Sequence, residues 1–324
     1  METMKDINDI PTEEAEKIIR CVTPHYRMVR SLGSGSYGKV FLVEDDQKQV
    51  TAKLVALEFR PGAPVGPDIQ TKLTNNREWR LIQENLDLLR HPSMVQIRDY
   101  FVHHVADSSS SIAVYGVVYR DYWPRTLRSC VRRLVADGKY PRKLQFNLLT
   151  SLAQLFIRLR EDTGALYTDI ATSNIMVKDW TSDTPTLAFG DFGGLHSLRR
   201  AEAGLRCDYT KDYIAPELHD RDPKKMDEQA LVYGFGLMAF FILEGRHPYQ
   251  EFKQPGPIFP LLIERGGPDW TAATCAEMAG VMGIIDRCLQ SDRAVRYPDF
   301  SSVRNALEQQ FQISKVDPEN RTAA

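Results

Sequence analysis

The 324-residue chain has little that would tie it to a membrane, a nucleic acid or an oxidising compartment. Its five cysteines, Cys21, Cys130, Cys207, Cys275 and Cys288, are odd in number and far apart, and no C-x-x-C pair occurs among them to seed a zinc or redox motif. That usage favours a reducing, cytoplasmic type of setting. Charge of neither sign dominates: 41 Lys and Arg face 43 Asp and Glu, for a formal net charge of −2 and a pI near 6.4. Global attraction to nucleic acid or to an acidic membrane surface is thereby excluded, and any such partner would need a local patch. No apolar run reaches the length of a membrane span, and the opening METMKDINDIPTEEAEKIIR is acidic and lacks the apolar core of a secretory leader. Repeats and low-complexity segments are absent as well.

What is present is an ordinary globular composition, 43% hydrophobic and 26% charged, on a length that suits two lobes rather than one small module. Residues 1–25 read as a polar extension in which Thr12 would N-cap a short helix with acids in its first turn. From Tyr26 the pattern turns to short strands, YRMVRSL, KVFLVED, QVTAKLVALEF, MVQIRDYFV and SIAVYGVVYR, which predict an antiparallel sheet. RPGAPVGPD at 60–68 reads as a loop, and Trp79, Ile82, Leu86 and Leu89 recur at helical spacing beyond it. After Trp123-Pro124, the segments LRSCVRRLVADG, LQFNLLTSLAQLFIRLRED, QALVYGFGLMAFFILEG and MAGVMGIIDRCLQ predict core helices. The expected fold class is α+β, a small β-rich lobe followed by a larger helical one. Residues 312–324 read as a polar, frayed tail.

Gly33-Ser-Gly35-Ser-Tyr-Gly38-Lys-Val40 is a G-x-G-x-x-G-x-V run between two strands, which suits a hairpin lid over phosphates rather than the strand-to-helix turn of a dinucleotide fold. Alone it fits a ligand-free glycine hairpin equally well. Lys53 lies thirteen residues past Val40 in an apolar strand, where a lysine is commonly solvated at an edge. Beneath a glycine lid it would instead meet triphosphate oxygens. The richest region is ALYTDIATSNIMV followed by LAFGDFG: Asp169 and Asn174 five positions apart in a tight loop, then Asp191-Phe192-Gly193 after the next strand. Each of these residues taken singly is explained by turn chemistry. Together, in that order, they supply the oxygens that hard magnesium ions take alongside phosphate and water.

The succession of glycine loop, strand lysine, D-x-x-x-x-N, D-F-G and Ala215-Pro216-Glu217 resembles the eukaryotic-like protein kinase family, of serine/threonine type, over most of the chain. The resemblance implies a bilobal domain over residues 26–311, with an N-lobe to about 119, a hinge near 120–123 facing adenine, and a C-lobe from about 124. It implies ATP and Mg2+ as cofactors and a protein as acceptor. Gly33, Gly35, Gly38 and Val40 would cover the nucleotide, and Lys53 would hold the α- and β-phosphates. Asn174 and Asp191 would bind magnesium, and Asp169 would orient and deprotonate the acceptor hydroxyl. Glu217 would form a structural ion pair with Arg296, and Thr210 would hydrogen-bond Asp169.

Several positions depart from that pattern. Counting back from His91-Pro92 places Ile82 where the family pairs a helix glutamate with the lysine; Glu78, one turn earlier on the same face, is the candidate replacement, against a solvated helix glutamate. Tyr167-Thr168 stands for the usual His-Arg, so the arginine that reads a phosphorylated activation loop is missing. Ala171 replaces a lysine near the transferred phosphate. Leu231 replaces an aspartate that anchors the catalytic-loop backbone, which leaves water or Asp227 to accept those bonds, or a less rigid loop. These changes keep a pseudokinase or nucleotide-binding scaffold in view beside an active kinase. A kinase-like small-molecule phosphotransferase is a further alternative, against which the Ala-Pro-Glu segment argues. Cys207, the arginines Arg199, Arg200 and Arg206, and His103-His104 take surface readings.

Overall fold

The computed structural model describes residues 11–35, 38–46, 48–61, 90–106, 111–180, 182–197, 210–218, 222–248 and 268–316. The chain divides into two compact units, residues 1–123 and 124–324.

Among the described residues, the first unit is a helix on a sheet. Five strands, β1 (Arg27–Gly35), β2 (Gly38–Glu44), β3 (Gln49–Pro61), β4 (Ile97–Ala106) and β5 (Ser111–Asp121), pair antiparallel in the order β1-β2-β3-β5-β4. Strand alternation sorts their side chains to two faces. Phe41, Val43, Val50, Ala52, Leu54, Val117 and Tyr119 share one face and are all buried. Helix α1 (Thr12–Val22) lies on that face and contributes Ala15, Ile18 and Ile19 at three- and four-residue spacing. Residues 15, 18 and 19 of the segment read as a polar extension thus belong to the core. Its cap differs from the expectation: Pro11 occupies the N-cap and Thr12 is the first helical residue, in keeping with the absence of a required N–H at that end of a helix. The helix expected around Trp79 to Leu89 lies outside the described residues.

The second unit is mainly helical. Beyond the two-residue β6 (Arg125–Thr126) come α2 (Leu127–Ala136), which Thr126 and Ser129 cap reciprocally, and the long α3 (Arg142–Thr163), ended by Gly164 in the left-handed conformation. Two small sheets follow. β7 (Ala165–Tyr167) pairs with β10 (Leu195–Ser197), while β8 (Ile175–Lys178) pairs with β6 and with β9 (Thr186–Phe189). Helix α4 (Glu228–Glu244) is apolar almost all round and buried from Ala230 to Leu243, as expected of a central core helix. Helices α5 (Ala272–Cys288) and α6 (Phe300–Val316) pack on it. The last of these was not anticipated, although Phe300, Val303 and Leu307 are buried at helical spacing, and it runs into the segment read as a polar tail. Among the described residues, no helix is long and apolar enough to cross a membrane.

Candidate active site

Register in the first unit brings the glycine run and the lysine together. Val40 on β2 and Val118 on β5 are both direct cross-strand partners of Lys53 on β3. Opposed residues share a face, so Lys53 stands between two valines on the side of the sheet away from α1. Its side chain is 4% exposed. Gly35 and Gly38 pair at the end of the β1–β2 hairpin, and Gly33 has φ +149°, a conformation that an L side chain rarely adopts. Gly38 is required for a second reason: a Cβ there would stand 2.4 Å from the Leu54 carbonyl oxygen, so the loop strand approaches the lysine strand backbone to backbone. Glu78 and Ile82 lie outside the described residues.

In the second unit, strand ends collect the acids. Residues 168–174 connect β7 to β8, and β9 leads through Gly190 into Asp191. Because Ile175 pairs with Phe189 and the Gly190 N–H donates to the Asn174 carbonyl at 2.8 Å, Asn174 and Asp191 emerge from neighbouring strand ends. The Asn174 side chain donates through Nδ2 to the Asp169 carboxylate at 2.7 Å and to its carbonyl at 2.9 Å. From the other side, Thr210 Oγ1 donates to Asp169 Oδ1 at 2.7 Å, the hydrogen bond expected from the sequence. Asp191 caps a single 3-10 turn by accepting from the Gly193 N–H at 3.1 Å, and Phe192 is fully buried beside it.

These contacts define what the site can hold. With the Asn174 N–H groups turned to Asp169, the carbonyl end of the amide is the end presented elsewhere, and an amide oxygen with the Asp191 carboxylate is a donor set fit for magnesium. Among the described residues, no cluster of three or more His, Cys, Asp or Glu could hold a metal ion by itself. One carboxylate and one amide are in keeping with an ion that takes its remaining ligands from phosphate and water.

The loop is held by hydroxyl groups that sequence reasoning missed. Thr168 donates both its backbone N–H, at 2.7 Å, and its Oγ1, at 3.2 Å, to the Gly194 carbonyl. Tyr167 is fully buried and stacks on Phe189 at 4.0 Å, and a Cβ on Gly194 would come within 2.7 Å of its ring. Thr172, also fully buried, shares a 3.1 Å hydrogen bond with the Tyr213 hydroxyl and accepts from Arg128 Nε at 3.2 Å. Below the loop, α4 approaches through Gly234, where a Cβ would stand 2.7 Å from the Tyr213 carbonyl and 3.2 Å from Ile170. Asp227 does not replace the missing anchor at Leu231. Its Oδ1 accepts from the Ala230 N–H as the N-cap of α4, and its Oδ2 accepts from Arg293. Leu231 is simply buried. Beside Tyr213, His247 hydrogen-bonds the Asp212 carbonyl, and burial pushes its imidazole pKa down, with Arg128 adding to the effect. Farther out, Arg296 grips Glu217 through two hydrogen bonds of 2.7 and 3.1 Å, the partnership expected from the sequence.

The model of the family described as "Protein kinase domain" matches residues 26–311. Among curated proteins, the serine/threonine-protein kinase WNK of Caenorhabditis elegans is 25% identical over 281 residues, 86% of this chain and 14% of that protein. The serine/threonine-protein kinase Wnk of Drosophila melanogaster is 22% identical over 291 residues, 85% of this chain and 11% of that protein. Glycogen synthase kinase 3 of Trypanosoma brucei brucei is 29% identical over 198 residues, 60% of this chain and 51% of that protein. The chain therefore spans between about a tenth and a half of the length of these relatives.

Proposed function

The chain belongs to the protein kinase domain family, and on that premise we propose that it transfers the γ-phosphoryl group of ATP to a serine or threonine hydroxyl of a protein. The observation that carries this reading is the double tether of Asp169, whose carboxylate takes one hydrogen bond from Asn174 and one from Thr210. A carboxylate so fixed keeps lone pairs for an acceptor hydroxyl and holds one orientation toward it, which is what proton removal at an in-line transfer needs. Thr210, already on Asp169, stands on the segment that leads into Ala215-Pro216-Glu217, and supports a peptide hydroxyl as acceptor. Serine/threonine specificity is supported also by the names of the relatives.

Lys53 would hold the α- and β-phosphates, with Gly33, Gly35, Gly38 and Val40 over the nucleotide and Glu78 as the lysine's partner. Magnesium, held by Asn174 and Asp191, would neutralise charge on the phosphate oxygens. Phosphate transfer to a protein acceptor, followed with radiolabelled ATP, is expected for the wild type and is expected to fall by about a hundredfold to ten-thousandfold in Asp169→Ala. Equal rates in the two proteins would remove Asp169 from its role. A second reading, a nucleotide-binding scaffold, is favoured by Ala171, which is 1% exposed and leaves no cation two residues past Asp169. Magnesium-dependent ATP binding without transfer by the wild type would decide for it.

A further inference from the structure

Arg128, the second residue of α2, is tied to the catalytic loop at two points. Its backbone N–H, one of the groups that a helix start leaves without an intrahelical partner, donates to the Thr172 carbonyl at 3.0 Å. Its Nε donates to the buried Thr172 Oγ1 at 3.2 Å. The same hydroxyl is bonded to Tyr213, three residues past the Thr210 that holds Asp169. The guanidinium is therefore fixed on the loop that carries Asp169 and beside the segment that holds Asp169 from the other side. Anchoring through Nε leaves the Nη1 and Nη2 edge, a planar fork that matches a carboxylate or phosphate.

Nothing described fills that fork. Among the described residues no carboxylate pairs with Arg128, whereas Arg160, Arg293 and Arg296 of the same unit each have one. Among the described residues, the adjoining loop and Asp212 form no ion pair with the guanidinium. Ala171 and Thr172 are uncharged, Ser173 is exposed and uncharged, and Asp212, the neighbouring acid, meets His247 through its backbone carbonyl. Burial beside Arg128 keeps His247 toward its neutral form.

We propose that Arg128 is a specificity determinant that takes, through its Nη fork, an anionic group carried by the acceptor peptide near the reacting hydroxyl, so that the preferred substrates are acidic. The proposal rests on the phosphotransfer reading for what the peptide is used for, but peptide binding tests it separately. A carboxylate and a phosphate share this chemistry, and two arms of the experiment distinguish them.

The test uses the full chain, treated with phosphatase and then freed of it, with four labelled peptides. Each has one serine flanked by glutamate, phosphoserine, alanine or lysine, and binding is read by fluorescence anisotropy. The glutamate peptide is expected to bind about tenfold more tightly than the alanine peptide, the difference of one hydrogen bond to a charged group. Still tighter binding of the phosphoserine peptide would identify phosphate as the preferred anion; binding equal to or weaker than that of the glutamate peptide would identify carboxylate. Arg128→Gln is expected to bring the acidic preference close to unity, and Arg128→Glu to turn it toward the lysine peptide, which loss of folding alone would not produce. If Arg128→Glu does not fold, Arg128→Lys, which keeps the charge without the fork, is expected to retain a reduced acidic preference. No charge preference in the wild type, no binding of any peptide, or an undiminished preference in Arg128→Gln would overturn the proposal. Arg128-dependent binding without transfer to any peptide would leave it standing and remove the phosphotransfer reading. Transfer without charge preference would do the reverse.

Discussion

Arg296 shows how a buried charge is tolerated in this protein. Its side chain is fully buried, and beyond its two hydrogen bonds to Glu217 it donates Nε to the Gln290 carbonyl at 2.9 Å and Nη1 to the Gln229 carbonyl at 3.1 Å. The guanidinium also lies over the Tyr233 ring. A buried ion pair gains little over apolar packing, because desolvation offsets most of the attraction, but removing one partner strands the other charge. Arg296→Ala is accordingly expected to cost about 3–5 kcal/mol, and Glu217→Gln, which keeps an acceptor oxygen, less. Urea unfolding followed by circular dichroism measures both, and an Arg296→Ala protein as stable as the wild type would show that Arg293, already 3.7 Å from Glu217, suffices as its partner. The two residues are 79 positions apart. Nothing in the local pattern of either joins them, and the pairing was legible only through resemblance.

At the scale of elements, α1 is the clearest gain of the structure over the sequence. Its acids at 13, 14 and 16 give the segment a polar look, while only Ala15, Ile18 and Ile19 are buried. A stripe that narrow is easily masked, since it fills less than one face of a three-turn helix. Yet it meets a sheet face on which Phe41, Val43, Val50, Ala52, Leu54 and Val117 are 0% exposed, so this core is incomplete without the helix. Ile19→Ala removes most of a fully buried side chain from a packed site and is expected to cost about 2–5 kcal/mol. A chemical denaturation midpoint unchanged by Ile19→Ala would mean that α1 detaches from the sheet without consequence. The strands beneath were legible from their runs of β-branched and aromatic residues; the central strands β2, β3 and β5 carry the buried residues, whereas the edge strands β1 and β4 are only partly buried and their pairing shifts register. The helix Phe300–Val316 was missed for the reason α1 was undervalued: its buried anchors Phe300, Val303 and Leu307 are diluted by polar residues.

For the molecule as a whole, the order of chemical residues was legible, while of the means of holding them only the Thr210 tether was, through resemblance. Asp169, Asn174 and Asp191 stand out by spacing along the chain, but the hydroxyls that fix their loop act across 26, 41 and 44 positions, from Thr168 to Gly194, Thr210 to Asp169 and Arg128 to Thr172. Such bonds leave no periodicity to read. They bear on regulation, since a loop arranged by a phosphorylated activation segment needs a cation to receive the phosphate. Where the family carries that arginine, this chain has Thr168, which is neutral, buried and bonded to Gly194 through both its N–H and its hydroxyl. Thr210 and Tyr213 tie the following segment to Asp169 and Thr172 without any phosphate. Turnover is therefore expected to persist after phosphatase treatment, verified by intact mass, and in Ser197→Ala, whose backbone pairs with Ala165 in either form. Comparison of kcat/KM on one peptide before and after treatment is the measurement. Abolished turnover in either case would mean that hydroxyl tethers do not suffice, and that a phosphate on the segment from Asp191 to Glu217 completes the site.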